Sequence, residues 1–530
     1  MQSMERLCIS LGTVRRMVML ATVALAAGCA LLPREVPRPA SYAIDGAQQT
    51  FLGRAFADQM PKSGGESGFR LLVSGEDAFA ARAALADAAQ RSLDLQYYVV
   101  ARDTTATMLL YRALRAAKRG VRVRLLIDDL YAAGRDRDLA TLAAHANVQV
   151  RVFNPFAHRG PLGLLQWLDF LGDGARLNRR MHNKLWIADN AVVVMGGRNL
   201  GDAYFNVRRS GDFADLDVLA AGPLVAQVSR SFDEYWNSES AIPVEAFLGE
   251  PPQAAEAQRL YAEMEAHAER FRETDYVQRL RALDFWREVR GGKLVLVTAP
   301  ARALYDSPAK SKAGDTEVGH IAAATRPIVE AARREVLLVS PYFIPSERGV
   351  AVLCGLARRS VRVRVLTNSL ASTDVPLVHS GYARYRPRLL ACGVELHEFL
   401  PTLPASGSAR PGLSSGASLH AKAIVVDQRW VLIGSMNLDP RSRSANTEIA
   451  ALIESDTLGR QLGDLFAESA VLGQAYRVEL AEPDASGAAQ VVWHGLADGK
   501  PVRYASEPLA SGWRRLIAGL LGRLFPEHML

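Results

Sequence analysis

His182-Asn183-Lys184-Leu185-Trp186-Ile187-Ala188-Asp189 leads to Gly196-Gly197-Arg198-Asn199, and His420-Ala421-Lys422-Ala423-Ile424-Val425-Val426-Asp427 leads to Gly434-Ser435-Met436-Asn437. From each histidine the intervals are two residues to Lys, seven to Asp, fourteen to Gly and seventeen to Asn. Side chains alternate along a strand, so a spacing of two sets His and Lys on one face. The apolar residues then reach a turn, Asp189-Asn190 or Asp427-Gln428-Arg429, and a second strand at 191–195 or 430–433, which reads as a hairpin. At its end Gly196, Gly197 and Gly434 let a ligand approach the backbone closely, Ser435 takes the remaining place, and Asn199 and Asn437 offer amide donors. His182, Lys184, His420 and Lys422 with these amides form a donor set for phosphate oxygens. Asp189 and Asp427 fall at odd spacing beside a turn, so a structural role is expected of them.

The chain holds eight Lys against 55 Arg, yet Lys fills both motif positions, which points to a need for a compact ammonium there. The duplication extends outward. Lys118-Arg119-Gly120-Val121-Arg122-Val123-Arg124-Leu125-Leu126 recurs as Arg358-Arg359-Ser360-Val361-Arg362-Val363-Arg364-Val365-Leu366. Upstream, Leu93-Asp94-Leu95-Gln96-Tyr97-Tyr98 corresponds to Leu338-Val339-Ser340-Pro341-Tyr342-Phe343, a buried strand ending in aromatics. Each half reads as strand, helix (104–118 and 349–359) and strand, the order of a βαβ unit. The expectation is an α/β fold of two pseudo-symmetric lobes, each a mixed or mostly parallel sheet flanked by helices, at 69–243 and 293–475. Between them 244–292 reads as a helical connector. The Ser/Gly/Pro/Ala-rich stretch 405–416 reads as a mobile loop before the second His-x-Lys. In the segment 476–530, Trp513, Leu516, Ile517, Leu520, Leu521 and Leu524 recur at helical spacing, which suits a membrane-surface helix or one packed on the core.

A chain of 530 residues exceeds one ordinary core, and 49% hydrophobic content excludes wholesale disorder. Its formal charge of +7 favours anionic partners without separating nucleic acid from lipid. Arg15 and Arg16 precede an apolar run at 17–27, too short to span a bilayer and suited to a secretory signal. Leu25-Ala26-Ala27-Gly28-Cys29 resembles a lipobox, implying a signal peptide at 1–28, acylation of Cys29 and a Pro-rich tether within 29–68. The expected location is the cell envelope, as a membrane-anchored lipoprotein facing the periplasm. Cys354 and Cys392 read as buried thiols that an oxidising compartment permits to pair. No Cys/His cluster has zinc-like spacing.

The motif His-x-Lys-x4-Asp-x6-Gly-x2-Asn, present twice, resembles the signature of the phospholipase D superfamily over nearly the whole mature chain. That resemblance implies two lobes meeting at one interfacial active site, with no metal or other cofactor. It implies that one histidine attacks phosphorus while the other protonates the leaving alcohol, here His182 and His420 respectively. Lys184, Lys422, Asn199 and Asn437 would stabilise the equatorial oxygens. A carboxylate should orient each imidazole: Glu448 matches the family's position in the second lobe, and Phe213-Ala214-Asp215-Leu216-Asp217 departs from it in the first, offering Asp215 with Asp217 as the alternative. Arg179 to Lys184, Gly196 to Phe205 and the segment bearing Asp374, His379, Tyr382, Tyr385 and Arg386 look like bacterial cardiolipin synthases of the C type. This implies phosphatidyl transfer between phospholipids at a membrane surface, with phosphatidylglycerol as acceptor and phosphatidylethanolamine as the associated donor. Hydrolytic phospholipase D is the nearest alternative, and a secreted phosphodiesterase or nuclease the second; no nucleic-acid partner is expected.

Overall fold

Helix Thr104–Lys118 begins where the Asp103 side chain accepts a hydrogen bond from the Ala106 amide, and it ends before Gly120 at φ 95°. Its counterpart in the second half is Ser346–Arg358. Both lie close to the spans expected from the repeat. The computed structural model describes residues 33, 36–57, 59–61, 64–159, 166–207, 212–291, 293–312, 320–401, 418–483 and 489–524. The proposed signal, Cys29 and the 405–416 loop lie outside them.

The first half contributes β1 (Glu66–Leu72), β2 (Ser92–Tyr97), β3 (Arg122–Asp128), β4 (Val148–Phe153), β5 (Leu185–Ala188), β6 (Val192–Gly196), β7 (Phe213–Ala214), β8 (Asp217–Ala221) and β9 (Ala241–Pro243). Strands pair in the order β9-β4-β3-β2-β5-β6-β8-β1; β2, β3 and β4 are parallel and the other neighbours antiparallel. Next comes β10 (Val297–Tyr305), followed by β11 (Glu335–Val339), β12 (Arg362–Asn368), β13 (Glu395–Phe399), β14 (Ser418–Leu419), β15 (Ala423–Val426), β16 (Trp430–Gly434), β17 (Ile449–Glu454) and β18 (Ala475–Leu480). Their order, β18-β13-β12-β11-β15-β16-β17-β10, repeats that of the first half, again with three parallel strands. Each sheet is therefore mixed rather than mostly parallel. The two βαβ crossovers account for the parallel strands, and the motif hairpins bring in antiparallel ones. A meander of β19 (Val491–Ala497) and β20 (Lys500–Tyr504) extends the second lobe.

Two features lock the lobes together. β10 pairs with β1 through Val297–Pro300 and with β17 through Ala301–Tyr305, making one continuous 18-stranded sheet. One apolar cluster also crosses the interface, joining Val193, Val218 and Phe69 to Leu337, Val431 and Ile453, all buried. The connector forms helices Ala254–Phe271, Asp275–Ala282 and Phe285–Arg290. It packs on the first lobe, where Phe271 and Tyr276 meet Phe79 edge-on. Part of the segment read as a tether is also bound there: Arg151 donates to the Pro39 carbonyl at 2.8 Å and Arg124 to that of Ser41 at 2.7 Å. Cys354 and Cys392 are joined as a disulfide.

Candidate active site

The two motif hairpins turn through paired left-handed residues, Asp189 (φ 55°) with Asn190 (φ 53°) and Asp427 (φ 54°) with Gln428 (φ 55°). Such a pair matches the twist of the flanking strands. The Asp189 carboxylate accepts from the backbone amides of Gln90, Arg91 and Ser92 at 3.0, 2.7 and 3.0 Å. Asp427 does the same for Arg333, Arg334 and Glu335 at 3.0, 2.7 and 2.9 Å. Each motif aspartate thus ties its hairpin to the start of a central parallel strand. His182 and Lys184 lie just before β5, and His420 and Lys422 just before β15, so the His-x-Lys step lies outside the hairpin strands. Its freed backbone groups bind the opposite lobe.

The His182 amide donates to the Thr447 carbonyl at 2.9 Å, and the Thr447 amide to that of Arg180 at 2.9 Å. The His420 amide donates to the Ala214 carbonyl at 2.7 Å, beside the parallel pair formed by β7 and β14. Thr447 and Ala214 immediately precede Glu448 and Asp215. This exchange carries each carboxylate across the interface. His182 Nδ1 lies 2.9 Å from Glu448 Oε2, and His420 Nδ1 lies 2.6 Å from Asp215 Oδ2. Sequence reasoning paired carboxylates and imidazoles without this crossing, because interlobe pairing leaves no trace in spacing. With Nδ1 engaged, Nε2 is the ring nitrogen left for chemistry.

Aromatic rings wall the imidazoles. Tyr98 stands edge-on to His182 with centroids 5.1 Å apart, while Tyr204 and Phe213 lie 5.3 and 5.0 Å from His420. These residues were not singled out from sequence, although the repeat that ends its strand in Tyr97-Tyr98 marked one of them. Lys184 Nζ donates to the His182 carbonyl at 2.5 Å, and Lys422 makes the equivalent bond to His420. Both ammonium groups are buried. Burial, with each amine's charge opposing the other's at Lys184, drives Lys184 down to about 7; burial drives Lys422 down to about 8 despite Asp215 and Glu448. His182 falls to about 4 through burial and the two lysines, against the pull of Glu448. His420 is lowered by burial and Lys422. Burial opposes ionisation of Asp215, but His420, Lys422 and Arg198 outweigh it and hold the carboxyl well below the usual range.

The two halves differ one residue after the motif glycine. Ser435 Oγ donates to Glu448 Oε2 at 2.5 Å and Ser442 Oγ to Oε1 at 2.8 Å. Asp439 caps the short helix that carries Ser442, accepting from its amide at 2.7 Å. In the first lobe Gly197 stands in place of the serine, and a Cβ there would lie 2.0 Å from Asp215 Oδ1. Asp215 Oδ1 takes a bond from the Leu216 amide at 2.8 Å instead. The glycines expected to admit a ligand admit backbone: a Cβ on Gly196 would lie 2.5 Å from the Leu216 carbonyl oxygen, and one on Gly434 2.2 Å from that of Ile449. Asn199 is committed as well, accepting from the Val99 amide at 3.1 Å and donating to the Tyr204 hydroxyl at 3.0 Å. It therefore braces Tyr204 with one N–H of its amide, and the NH2 group carries a second. Asn437 keeps a buried Oδ1 with no hydrogen-bond partner among the described residues.

A family profile described as "Cardiolipin synthase, PLD-like domain" matches residues 83–236 and again 326–469, and these spans contain every residue of this site. Cardiolipin synthase C of Escherichia coli (strain K12) is 39% identical over 469 residues, 88% of this chain and 97% of that protein. The chain belongs to the cardiolipin synthase family of phospholipase D-like phosphatidyltransferases. An uncharacterized protein of Helicobacter pylori (strain ATCC 700392 / 26695) is 30% identical over 95% of this chain and 97% of its own length. In fold, the phosphatidylserine synthase of Haemophilus influenzae Rd KW20 superposes with a TM-score of 0.53 at 12% identity, covering 80% of this chain and 91% of that one. Membership in the family accords with a site assembled from both repeats, as the paired profile match and the exchanged carboxylates each require two copies.

Proposed function

We propose that this enzyme makes cardiolipin by moving a phosphatidyl group from one phospholipid to a hydroxyl of another through a phosphohistidine at His182. The carrying observation is the exchange of Glu448 and Asp215, which fixes imidazoles from opposite lobes beside two buried lysines. His182 Nε2 attacks phosphorus with its lone pair, the bond from phosphorus to the leaving alkoxide oxygen breaks, and His420 gives that oxygen a proton. The acceptor hydroxyl then passes its proton to His420, its oxygen attacks phosphorus, and the P–N bond breaks to restore neutral His182. A nucleophile must be neutral and an acid protonated.

The asymmetry of the carboxylates supports this order. Two serine hydroxyls draw charge from Glu448, leaving less of it to stabilise a cation at His182. Asp215 has no such hydroxyls among its described bonds and holds His420 at 2.6 Å, so a bound anion promotes protonation there first. Lys184 and Lys422 supply positive charge to the equatorial oxygens in a dry setting, where it acts strongly. The name of the Escherichia coli relative supports phospholipid substrates and cardiolipin as product, while phosphatidylglycerol as acceptor rests on the resemblance of the sequence. Asp374 is exposed, accepts from the Tyr342 hydroxyl at 2.8 Å and is close enough for its charge to act on Lys422. A carboxylate placed there favours a donor headgroup bearing an ammonium, which supports phosphatidylethanolamine.

The Cys354–Cys392 disulfide supports the periplasmic side of the envelope, where such bonds persist. Among the described residues no helix is long and apolar enough to cross a membrane. Anchoring is assigned to acylated Cys29 on sequence grounds. Mass spectrometry of products from mixed phosphatidylethanolamine and phosphatidylglycerol tests the whole reading. Cardiolipin with free ethanolamine is expected, and neither should form with His182→Ala. Phosphatidic acid without cardiolipin would instead establish hydrolysis.

A further inference from the structure

Helix Gly512–Leu524 turns three large apolar residues outward. Trp513, Leu516 and Leu520, together with Leu509 just before it, are 57% to 68% exposed. The spacing of three, four and seven residues aligns them along one stripe. The helix nevertheless has a fixed seat. Ala518 and Ala510 pack with Leu370, and the Arg514 guanidinium donates to the Leu370 carbonyl at 3.1 Å and to that of Thr373. Core packing thus accounts for the opposite face and leaves the stripe unpartnered.

Its position ties it to the catalytic pocket. The loop clamped by Arg514 continues directly into Asp374, which Tyr342 holds beside the mouth and whose charge reaches Lys422. Across the pocket, Leu130 and Tyr131 form another exposed apolar pair, 37% and 51% accessible. The Tyr131 ring lies 5.2 Å from Tyr98, which itself abuts His182. Six of the ten exposed large apolar side chains among the described residues therefore fall on or just before this helix and on the Leu130–Tyr131 pair, one feature on each lobe. The helix sequence contains Arg514, Arg515 and Arg523 but no Asp or Glu, and Arg515 is exposed. Such a composition suits the interface of an anionic bilayer, where indole rings settle and arginines meet headgroups.

We propose that this rim, led by Trp513, Leu516 and Leu520 and joined by Leu130 and Tyr131, is a bilayer-docking face that seats the pocket mouth at headgroup depth. The inference rests on the phospholipid-transfer reading. A diacyl substrate loses much free energy if its chains enter water, so a pocket that stays at the interface can take the phosphodiester while the chains remain in lipid.

Purified full-length protein is mixed with phosphatidylethanolamine–phosphatidylglycerol vesicles brominated high on the acyl chain, and tryptophan emission is compared with that of Trp513→Phe. Bromine should quench a component that the variant lacks. The triple variant Trp513→Ser/Leu516→Ser/Leu520→Ser should lose at least tenfold activity on vesicles and retain its rate on monomeric short-chain phospholipids. An unquenched Trp513, equal vesicle rates, equal losses on both substrates or a self-association that the triple variant abolishes would each overturn the docking face. Failure of the wild type on short-chain phospholipids would count against the transfer reading, while quenching would still decide the face.

Discussion

Replacing Asp189 and Asp427 by alanine separates a scaffolding role from a chemical one. Asp189 is 1% exposed and accepts from three backbone amides, of which Ser92 is buried and Arg91 half-buried. Bonds to a charged acceptor contribute roughly 1.5 kcal/mol each, so losing three costs at most about 4.5 kcal/mol, and about 3 kcal/mol once water replaces the acceptor at exposed Gln90. Alanine at φ 55° adds on the order of 1 kcal/mol. Asp427 has the same geometry, but Arg333 and Arg334 are exposed and water can replace the lost acceptor. Its loss should cost about 2 kcal/mol, mostly from the backbone and the Glu335 amide. Urea midpoints report the overall difference, and hydrogen exchange at residues 90–92 and 333–335 reports where it arises. The expected result is a larger midpoint shift for Asp189→Ala than for Asp427→Ala, with turnover per folded molecule within a few-fold of wild type. An unchanged midpoint with a thousandfold loss of turnover would place these carboxylates in the chemistry and refute the reasoning.

Glu448→Gln should lower turnover by roughly 10²- to 10⁴-fold, the range for removing an orienting carboxylate. It should move the Nδ1 nitrogen resonance of His182, and a shift confined to His420 would deny the interlobe pairing. Gly197→Ala, whose Cβ meets Asp215 at 2.0 Å, should uncouple that carboxylate from His420 and cost far more activity than Ser435→Ala; wild-type rates in Gly197→Ala would defeat this. Because Lys184 and Lys422 sit at about 7 and about 8, both are largely charged at pH 6 and substantially neutral at pH 8. A bound phosphodiester anion raises both, so calorimetry in buffers of different ionisation enthalpy should show more proton uptake at pH 8 than at pH 6. Uptake that does not grow across this interval argues against the depressed amines. Asp374→Asn should reduce the preference for phosphatidylethanolamine over phosphatidylglycerol as donor, and an unchanged product ratio would remove Asp374 from headgroup choice.

Local patterning was legible wherever a residue's role depended on near neighbours. Helix 104–118 follows from its place between the two apolar strands of the repeat, and the hairpins from an Asp-Asn or Asp-Gln pair between apolar runs. The aspartates' place at the hairpin turns was readable too, because alternation and a turn position are both local properties. The fate of Asn199 was not. An amide at a motif position looks like a ligand donor, and only tertiary packing reveals that it also holds Val99 and Tyr204. Gly196 and Gly434 misled for a related reason: glycine signals close approach without saying what approaches, and here it is the neighbouring strand. The disulfide likewise depends on two helices converging 38 residues apart in sequence.

The exchange of carboxylates explains why the repeats keep one architecture but differ in detail. An isolated lobe would hold a histidine with no orienting acid and an acid buried with no imidazole, a costly arrangement for both groups. Joining two lobes satisfies both pairs at once, so the interface that assembles the site also gives each buried carboxylate an imidazole Nδ1–H to accept from. Once the pairs are intact, substitutions around each carboxylate can tune its histidine separately. Glutamate reaches across with one more methylene and finds Ser435, whereas the shorter aspartate needs the space that Gly197 leaves. The differing hydrogen-bond loads that result offer a physical basis for the unequal proton affinities that the proposed two-step transfer, with one nucleophile and one acid, requires.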